Sequence, residues 1–299
     1  MSILNMASDG LFNVLIILVR ALVKFGPQSR ENLLALSGAK FDVIDPSKIS
    51  MSLGRWTELG LFTDVDGSIS LSEIHKKSLT NSPDVAELRL PKVLRSIIFA
   101  PENNVQFWST EENRSADCTR GLAWLLAQNV YTLDTGSHKS INQLESEQIL
   151  DESRRMFQND TRWNGARTWS VYLGFARQGA TLVIDPTPAL RESLDEIFTT
   201  DRMTARDFVD RSAEVLPVLD GGTYRYQIEE VLKDTSWQKP PSNFVSTSLS
   251  RAIKRLLQEG LIADDRRSDT DAGINLMGFR DEAWLSITHL RRLPRSGAV

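Results

Sequence analysis

Apolar positions near the start of the chain recur at helical spacing. Between Gly10 and Phe25, Leu11, Leu15, Leu18, Val19 and Leu22 fall three or four residues apart and share one face of a helix. Asp9 stands where an N-cap is needed, and Gly26-Pro27 ends the pattern. Ser29 precedes a short second helix, Arg30 to Leu36, closed by Ser37-Gly38. After Asp45-Pro46 a third helix runs roughly from Lys48 to Leu59, with Gly60 as a left-handed C-cap. Leu61 to Leu71 then alternates around Asp66-Gly67, a strong hairpin signal. Helix, short helix, helix and hairpin in residues 1–75 predict a winged helix, a helix-turn-helix with a β-ribbon attached.

The same grammar returns near the other end. Tyr224 to Lys233 reads as a first helix, Pro240-Pro241 as a loop, and Ser246 to Glu259 as the third helix with Gly260 as its stop. Aligning the two glycines sets Leu53, Arg55, Trp56 and Gly60-Leu61-Phe62 against Ile253, Arg255, Leu256 and Gly260-Leu261-Ile262. Ala263 to Leu276 is then a longer wing. A degenerate third copy is expected over about 138–187, where Trp163 to Leu173 is followed by Gly174 and an apolar stretch to Ile184. Further helices are predicted at Pro91 to Ala100, Ala116 to Val130, Ile141 to Phe157 and Ala189 to Phe198, and at Ala205 to Leu216 behind a Thr204 cap. The expected fold is mainly α with small β-hairpins, an α+β chain of winged helices at 1–75 and 221–299 joined by a helical middle, 76–220.

Composition narrows the class. The 299 residues are 41% hydrophobic and 25% charged, enough for two or three small cores. Lysine and arginine number 35 against 39 carboxylates, a formal charge of −4, which argues against indiscriminate coating of nucleic acid and leaves room for a local basic patch. The single cysteine, Cys118, cannot form an internal disulfide or a zinc ribbon and fits a reducing cytoplasm. Leu11 to Val19 is too short to span a bilayer, and no Lys or Arg precedes it as in a signal peptide, so a cytoplasmic protein away from membranes is expected.

Catalytic signatures are missing. The sequence has no phosphate-binding glycine loop, dinucleotide fingerprint, serine elbow or histidine pair at metal-ligand spacing. His75, His138 and His289 lie far apart, and Asp64, Asp66, Asp264 and Asp265 sit in turns that explain them. Glu229-Glu230 with Lys233 reads as helical ion pairing, and Cys118 beside Leu122, Trp124 and Leu125 as a buried small hydrophobe. A non-catalytic protein without metal or cofactor is expected. Of the seven tryptophans, Trp56, Trp124 and Trp169 read as core, whereas Trp108 and Trp237 are candidates for exposed stacking on bases.

In a winged helix the third helix enters the major groove and the wing meets the backbone. Residues 1–75 carry six lysines and arginines against eight carboxylates, and their third helix offers mainly Lys48, Ser50, Ser52 and Arg55. Protein docking suits that module at least as well as DNA. Residues 222–299 carry twelve against ten, with Arg251, Lys254 and Arg255 on the third helix and Arg266-Arg267 in the wing. These five are the expected DNA-binding residues. Ser246, Thr247, Ser248 and Asn243 are either additional donors or helix caps.

Met1-Ser2-Ile3-Leu4-Asn5, Ser8-Asp9-Gly10-Leu11, Leu18-Val19-Arg20-Ala21-Leu22 and Arg55-Trp56-Thr57-Glu58-Leu59-Gly60-Leu61-Phe62 resemble the DpdG family, a component of bacterial gene clusters that place 7-deazaguanine derivatives in DNA and restrict unmodified DNA. The resemblance covers roughly the first 75 residues. It implies a non-catalytic accessory subunit in anti-phage defence, working beside larger helicase and ATPase-type proteins, and brings no catalytic residues with it. The expected partners are therefore duplex DNA and such subunits, with self-association as a further expectation. The alternatives are a protein adapter without DNA contact and a stand-alone transcription regulator, the latter requiring a dimer on a palindromic site.

Overall fold

A computed structural model describes residues 3–4, 12–39, 45–80, 82–109, 114–265 and 273–294 of a mixed α+β protein. The chain divides into two compact units, Met1–Cys118 with Asn159–Leu173, and Thr119–Gln158 with Gly174–Val299. The boundaries expected near residues 75 and 220 each fall inside a unit, and the candidate third copy is divided between the two. The first unit holds α1 (Phe12–Phe25), β1 (Gln28–Ser29), α2 (Arg30–Leu36), α3 (Pro46–Glu58), β2 (Phe62–Val65), β3 (Ser68–Leu71), α4 (Glu73–Leu79) and α5 (Pro83–Ile98). Helix α6 (Ala116–Ala127) leads into the second unit, α7 (His138–Gln148) belongs to that unit, and α8 (Asp160–Tyr172) belongs to the first. The second unit continues with β4 (Ala176–Gln178), β5 (Leu182–Ile184), α9 (Thr187–Ile197), β6 (Arg202–Thr204), α10 (Ala205–Val215) and α11 (Thr223–Glu229). It closes with β7 (Phe244–Val245), α12 (Thr247–Gln258), β8 (Ile262–Asp264), β9 (Ile274–Met277), β10 (Ala283–Ile287) and β11 (His289–Arg292).

Local chemistry accounts for the first unit. Helix α1 buries Val14, Leu15, Leu18, Val19 and Leu22 on one face and packs on α3 and α5. The Ser29 hydroxyl caps α2 by accepting from Asn32 N, and Asp45 caps α3 ahead of Pro46 by accepting from Ser47 N. Asp66 and Gly67 both take positive φ, as a two-residue hairpin turn requires, and β2 pairs with β3 around them. Strand β1 adds to the free edge of β3, giving the order β1-β3-β2. Trp56 on α3 is 1% exposed and meets Trp169 of α8 with ring centres 5.7 Å apart.

The second unit repeats this order on a longer scale. Helix α9 is followed by β6, the Thr204-capped α10, and later α12, β8 and β11, with the strands ordered β6-β11-β8. The counterpart of α1 is therefore α9 rather than the segment Tyr224 to Lys233, because β6 sits between α9 and α10 as β1 sits between α1 and α2. The returning strand is likewise not Gly273 to Leu276. Strand β9 pairs with β10 and, in parallel, with β7, while β8 pairs with β11. The end of the expected wing thus enters a separate three-stranded sheet, β10-β9-β7, as strand β9.

Three other predicted helices have different limits. Helix α5 starts at Pro83 behind a Ser82 cap and carries Pro91 in its interior instead of starting there. Helix α6 ends at Ala127, and α7 ends at Gln148, short of Phe157. The buried Glu145 carboxylate accepts from Met156 N at 2.5 Å and from Phe157 N at 3.0 Å, tying the following segment back across α7.

Candidate nucleic-acid interface

Helix α12 buries Leu249, Ala252, Ile253 and Leu256 against its own unit, packing on α9, β8 and β9. Its buried hydroxyls are engaged internally: Ser248 Oγ donates to Leu126 O at 2.8 Å and Thr247 Oγ1 to Gln128 O at 3.3 Å. Ser246 caps the helix by accepting from Leu249 N, and donates to Asp220 Oδ1 at 2.6 Å. Arg251, Lys254 and Arg255, spaced i, i+3 and i+4, form a half-buried cationic strip along the remaining face.

The strip splits in two. Arg255 Nη1 lies 3.2 Å from Asp185 Oδ2, a carboxylate 1% exposed that also meets Arg177 Nε at 2.9 Å. The Arg251 guanidinium lies 5.0 Å over the Tyr131 ring and donates to Ile184 O at 3.3 Å, and Lys254 Nζ lies 3.8 Å over the Trp284 ring. Burial pushes the Tyr131 phenol up, partly offset by the Arg251 charge. Arg266 and Arg267 lie outside the described residues.

Two of the predicted cations therefore join an aromatic group that the sequence did not reveal. Tyr131 meets Phe279 and Trp284 edge to face, at 5.9 and 5.7 Å between ring centres. Phe279 is 53% exposed and Trp284 38%, and the Arg280 guanidinium lies 5.6 Å over Phe279. Arg280 holds φ at +67°, which a side chain other than glycine takes only at some strain. A Cβ on Gly278 would overlap the Trp284 indole, so that close approach requires glycine. Glu282 is exposed in the same turn, and its backbone carbonyl accepts from Gly278 N at 2.8 Å. The chemistry offered is π-faces bordered by cations.

A family model described as DpdG-like matches residues 1–270. The chain belongs to the DpdG-like family. No curated protein and no solved structure matches it. The family match includes α12 and all five predicted DNA-binding residues and ends before β9, so Phe279, Arg280 and Trp284 lie beyond it.

Other candidates in this DpdG-like chain have packing roles. Trp237, expected to be exposed, is 8% exposed, and its indole donates to Ala127 O at 2.9 Å. Trp108 is half-buried, edge to face with Phe107, while Trp56, Trp124 and Trp169 are core residues as expected. Glu229 pairs with the buried Arg225 at 2.7 Å and with Lys239 at 3.1 Å rather than with Lys233. His75 lies within α4, His138 begins α7 and His289 begins β11; His138 Nε2 is 2.7 Å from Phe157 O. Burial pushes the Cys118 thiol well above its ordinary value. Among the described residues no group of three His, Cys, Asp or Glu is placed to hold a metal, and no helix is long and apolar enough to cross a membrane. A cavity of about 430 Å³ in the second unit is walled by Trp237, Phe244 and Met277, with Gln128 and Gln148 bonded to each other at 2.8 Å.

Helix α3 of this DpdG-like chain differs in charge. Arg55 is 4% exposed, and Arg30 Nη2 donates to Ser50 Oγ at 2.6 Å, leaving Lys48 half-buried. The neighbouring hairpin exposes Asp64, Val65 and Asp66.

Proposed function

We propose that this DpdG-like protein is a non-catalytic, DNA-contacting subunit of a bacterial complex for DNA modification and restriction, built on winged-helix modules. Membership of the family supports the setting, since the family is tied to clusters that modify DNA and restrict unmodified DNA. The strand order shared by the two ends, β1-β3-β2 and β6-β11-β8, each behind a glycine-stopped third helix, supports the winged-helix reading. The observation that carries duplex contact is the half-buried cationic strip of Arg251 and Lys254 on α12. Because the apolar face of α12 is buried, contact would run through the strip and the wing, with Arg266 and Arg267 meeting phosphates.

Duplex titrations at several salt concentrations test this. Replacing Arg266 and Arg267 with Glu should weaken binding and flatten the salt dependence by about 0.9 in logarithmic slope for each phosphate no longer neutralised. Unchanged titrations would remove DNA contact from the wing.

A protein-facing role for the N-terminal module is favoured by the acidic, Val65-bearing hairpin and the buried Arg55. Larger helicase or ATPase-type subunits are the proposed partners there. A pull-down at high salt distinguishes the two kinds of contact, since apolar docking survives screening and phosphate contact does not.

A further inference from the structure

We infer that Phe279, in the turn between β9 and β10, and Trp284, at the start of β10, form a stacking platform for unpaired DNA bases. This rests on the DNA-contacting reading above and adds unpaired DNA to the duplex met by the cations. Large aromatic side chains on a protein surface are a liability unless something covers them, and here two stand together, one in the turn and one at the start of β10. The backbone accepts local constraint to hold them: Arg280 keeps a left-handed conformation, and Gly278 has no room for a side chain beside the indole. Such geometry is wasted on a residue that serves only as filler.

Charge identifies the occupant. Lys254 Nζ lies over one face of the indole and the Arg280 guanidinium over one face of the phenyl ring, so a base stacking on the opposite face of either ring has a cation close by. An aliphatic partner segment would gain nothing from three cations around its seat. A nucleotide answers both features at once, its base matching the ring and its phosphate the ammonium or guanidinium. Glu282 in the same turn opposes a phosphate, which leaves the helix cations Arg251 and Lys254 to meet the backbone. In a duplex the base faces are stacked on one another and unavailable to Trp284 or Phe279.

Fluorescence anisotropy with the full chain tests the platform, using a short labelled mixed-sequence single strand and its duplex as probes. Trp284→Ala combined with Phe279→Ala should weaken single-strand binding roughly ten-fold or more and leave duplex binding within about two-fold. Trp284→Phe should recover most of the single-strand affinity, and matching unfolding curves for all variants would show that the effect is local. An equal drop in affinity for both probes, or no drop for either, would overturn the platform while leaving DNA contact standing. If the wild-type chain binds neither probe, the DNA-contacting reading itself fails.

Discussion

Asp185 and Arg255 form an ion pair, 3.2 Å between Oδ2 and Nη1, in which the carboxylate is almost fully buried and the guanidinium reaches it from α12. Arg177 on β4 approaches the same oxygen at 2.9 Å, and Thr187 at the start of α9 donates to Asp185 from both its backbone N and its hydroxyl. One acid thus ties together a strand, a helix start and the third helix. It also gives Arg255 a carboxylate partner, with Arg251 and Lys254 the helix cations lying over the aromatic rings.

Removing that carboxylate should therefore destabilise the fold without acting on DNA contact directly. Asp185→Ala is expected to lower unfolding free energy by about 2–4 kcal/mol, the lower part of that range reflecting screening of arginines that are 37% exposed. Arg255→Gln should be milder, because Arg177 remains to pair. Urea unfolding followed by circular dichroism gives both values, and equal destabilisation by the two variants would contradict the hub arrangement.

Gly60 and Gly260 end their helices alike. Leu61 N donates to Trp56 O at 2.8 Å and Leu261 N to Leu256 O at 3.0 Å, while each leucine carbonyl accepts from the residue after the returning strand, Ser72 or Leu293. The φ values are +96° and +66°, and open space surrounds an added Cβ at both. Alanine at either site should thus cost about 1–2 kcal/mol through backbone strain alone. Asparagine should recover more at 260, where φ is nearer its left-handed optimum, than at 60. Thermal unfolding of the four single variants checks the order.

These glycines were legible because helix punctuation is a local signal, as was the Asp66-Gly67 turn. The pairing of β8 with β11 was not, since the segment between them folds as its own hairpin and nothing in either short strand names its partner. Nor was Trp284. It lies in an edge strand whose residues show no periodicity of burial, and its neighbours Lys254 and Tyr131 arrive from distant parts of the chain. Trp237 is the opposite case: a candidate for exposure in the sequence, it is buried, with its indole N–H donating to a carbonyl 110 residues away.

Cys118 makes a pH prediction. It is 1% exposed, and burial, with the Asp117 charge as a second cause, raises the thiol well above its ordinary value. The fold favours the neutral thiol, so this contribution is complete below the unfolded-state value and is lost as pH rises through and beyond it toward the folded value. Melting temperature should fall more steeply on the alkaline side for the wild type than for Cys118→Ala. A thiol reagent should label the native chain slowly and the urea-unfolded chain at once, and rapid native labelling would contradict the burial.

Gly278→Ala separates the position of the indole from its presence. The new Cβ would overlap the indole nitrogen and its neighbouring carbon, and the easiest relief is for Trp284 to swing outward, away from Lys254. Because Trp284 is already partly exposed, little burial is given up and overall stability should change by less than about 1 kcal/mol. Single-strand affinity should nevertheless drop as it does in Trp284→Ala, since a base needs the ring held flat beside its cation and incurs an ordering penalty when the ring is loose. Lys254→Gln, which keeps the stem over the ring but removes the charge, should reduce the salt dependence of binding and leave the indole in place. Near-ultraviolet circular dichroism reports the ring's setting in both variants; a Gly278→Ala spectrum and affinity identical to wild type would mean that the indole's position does not matter to binding.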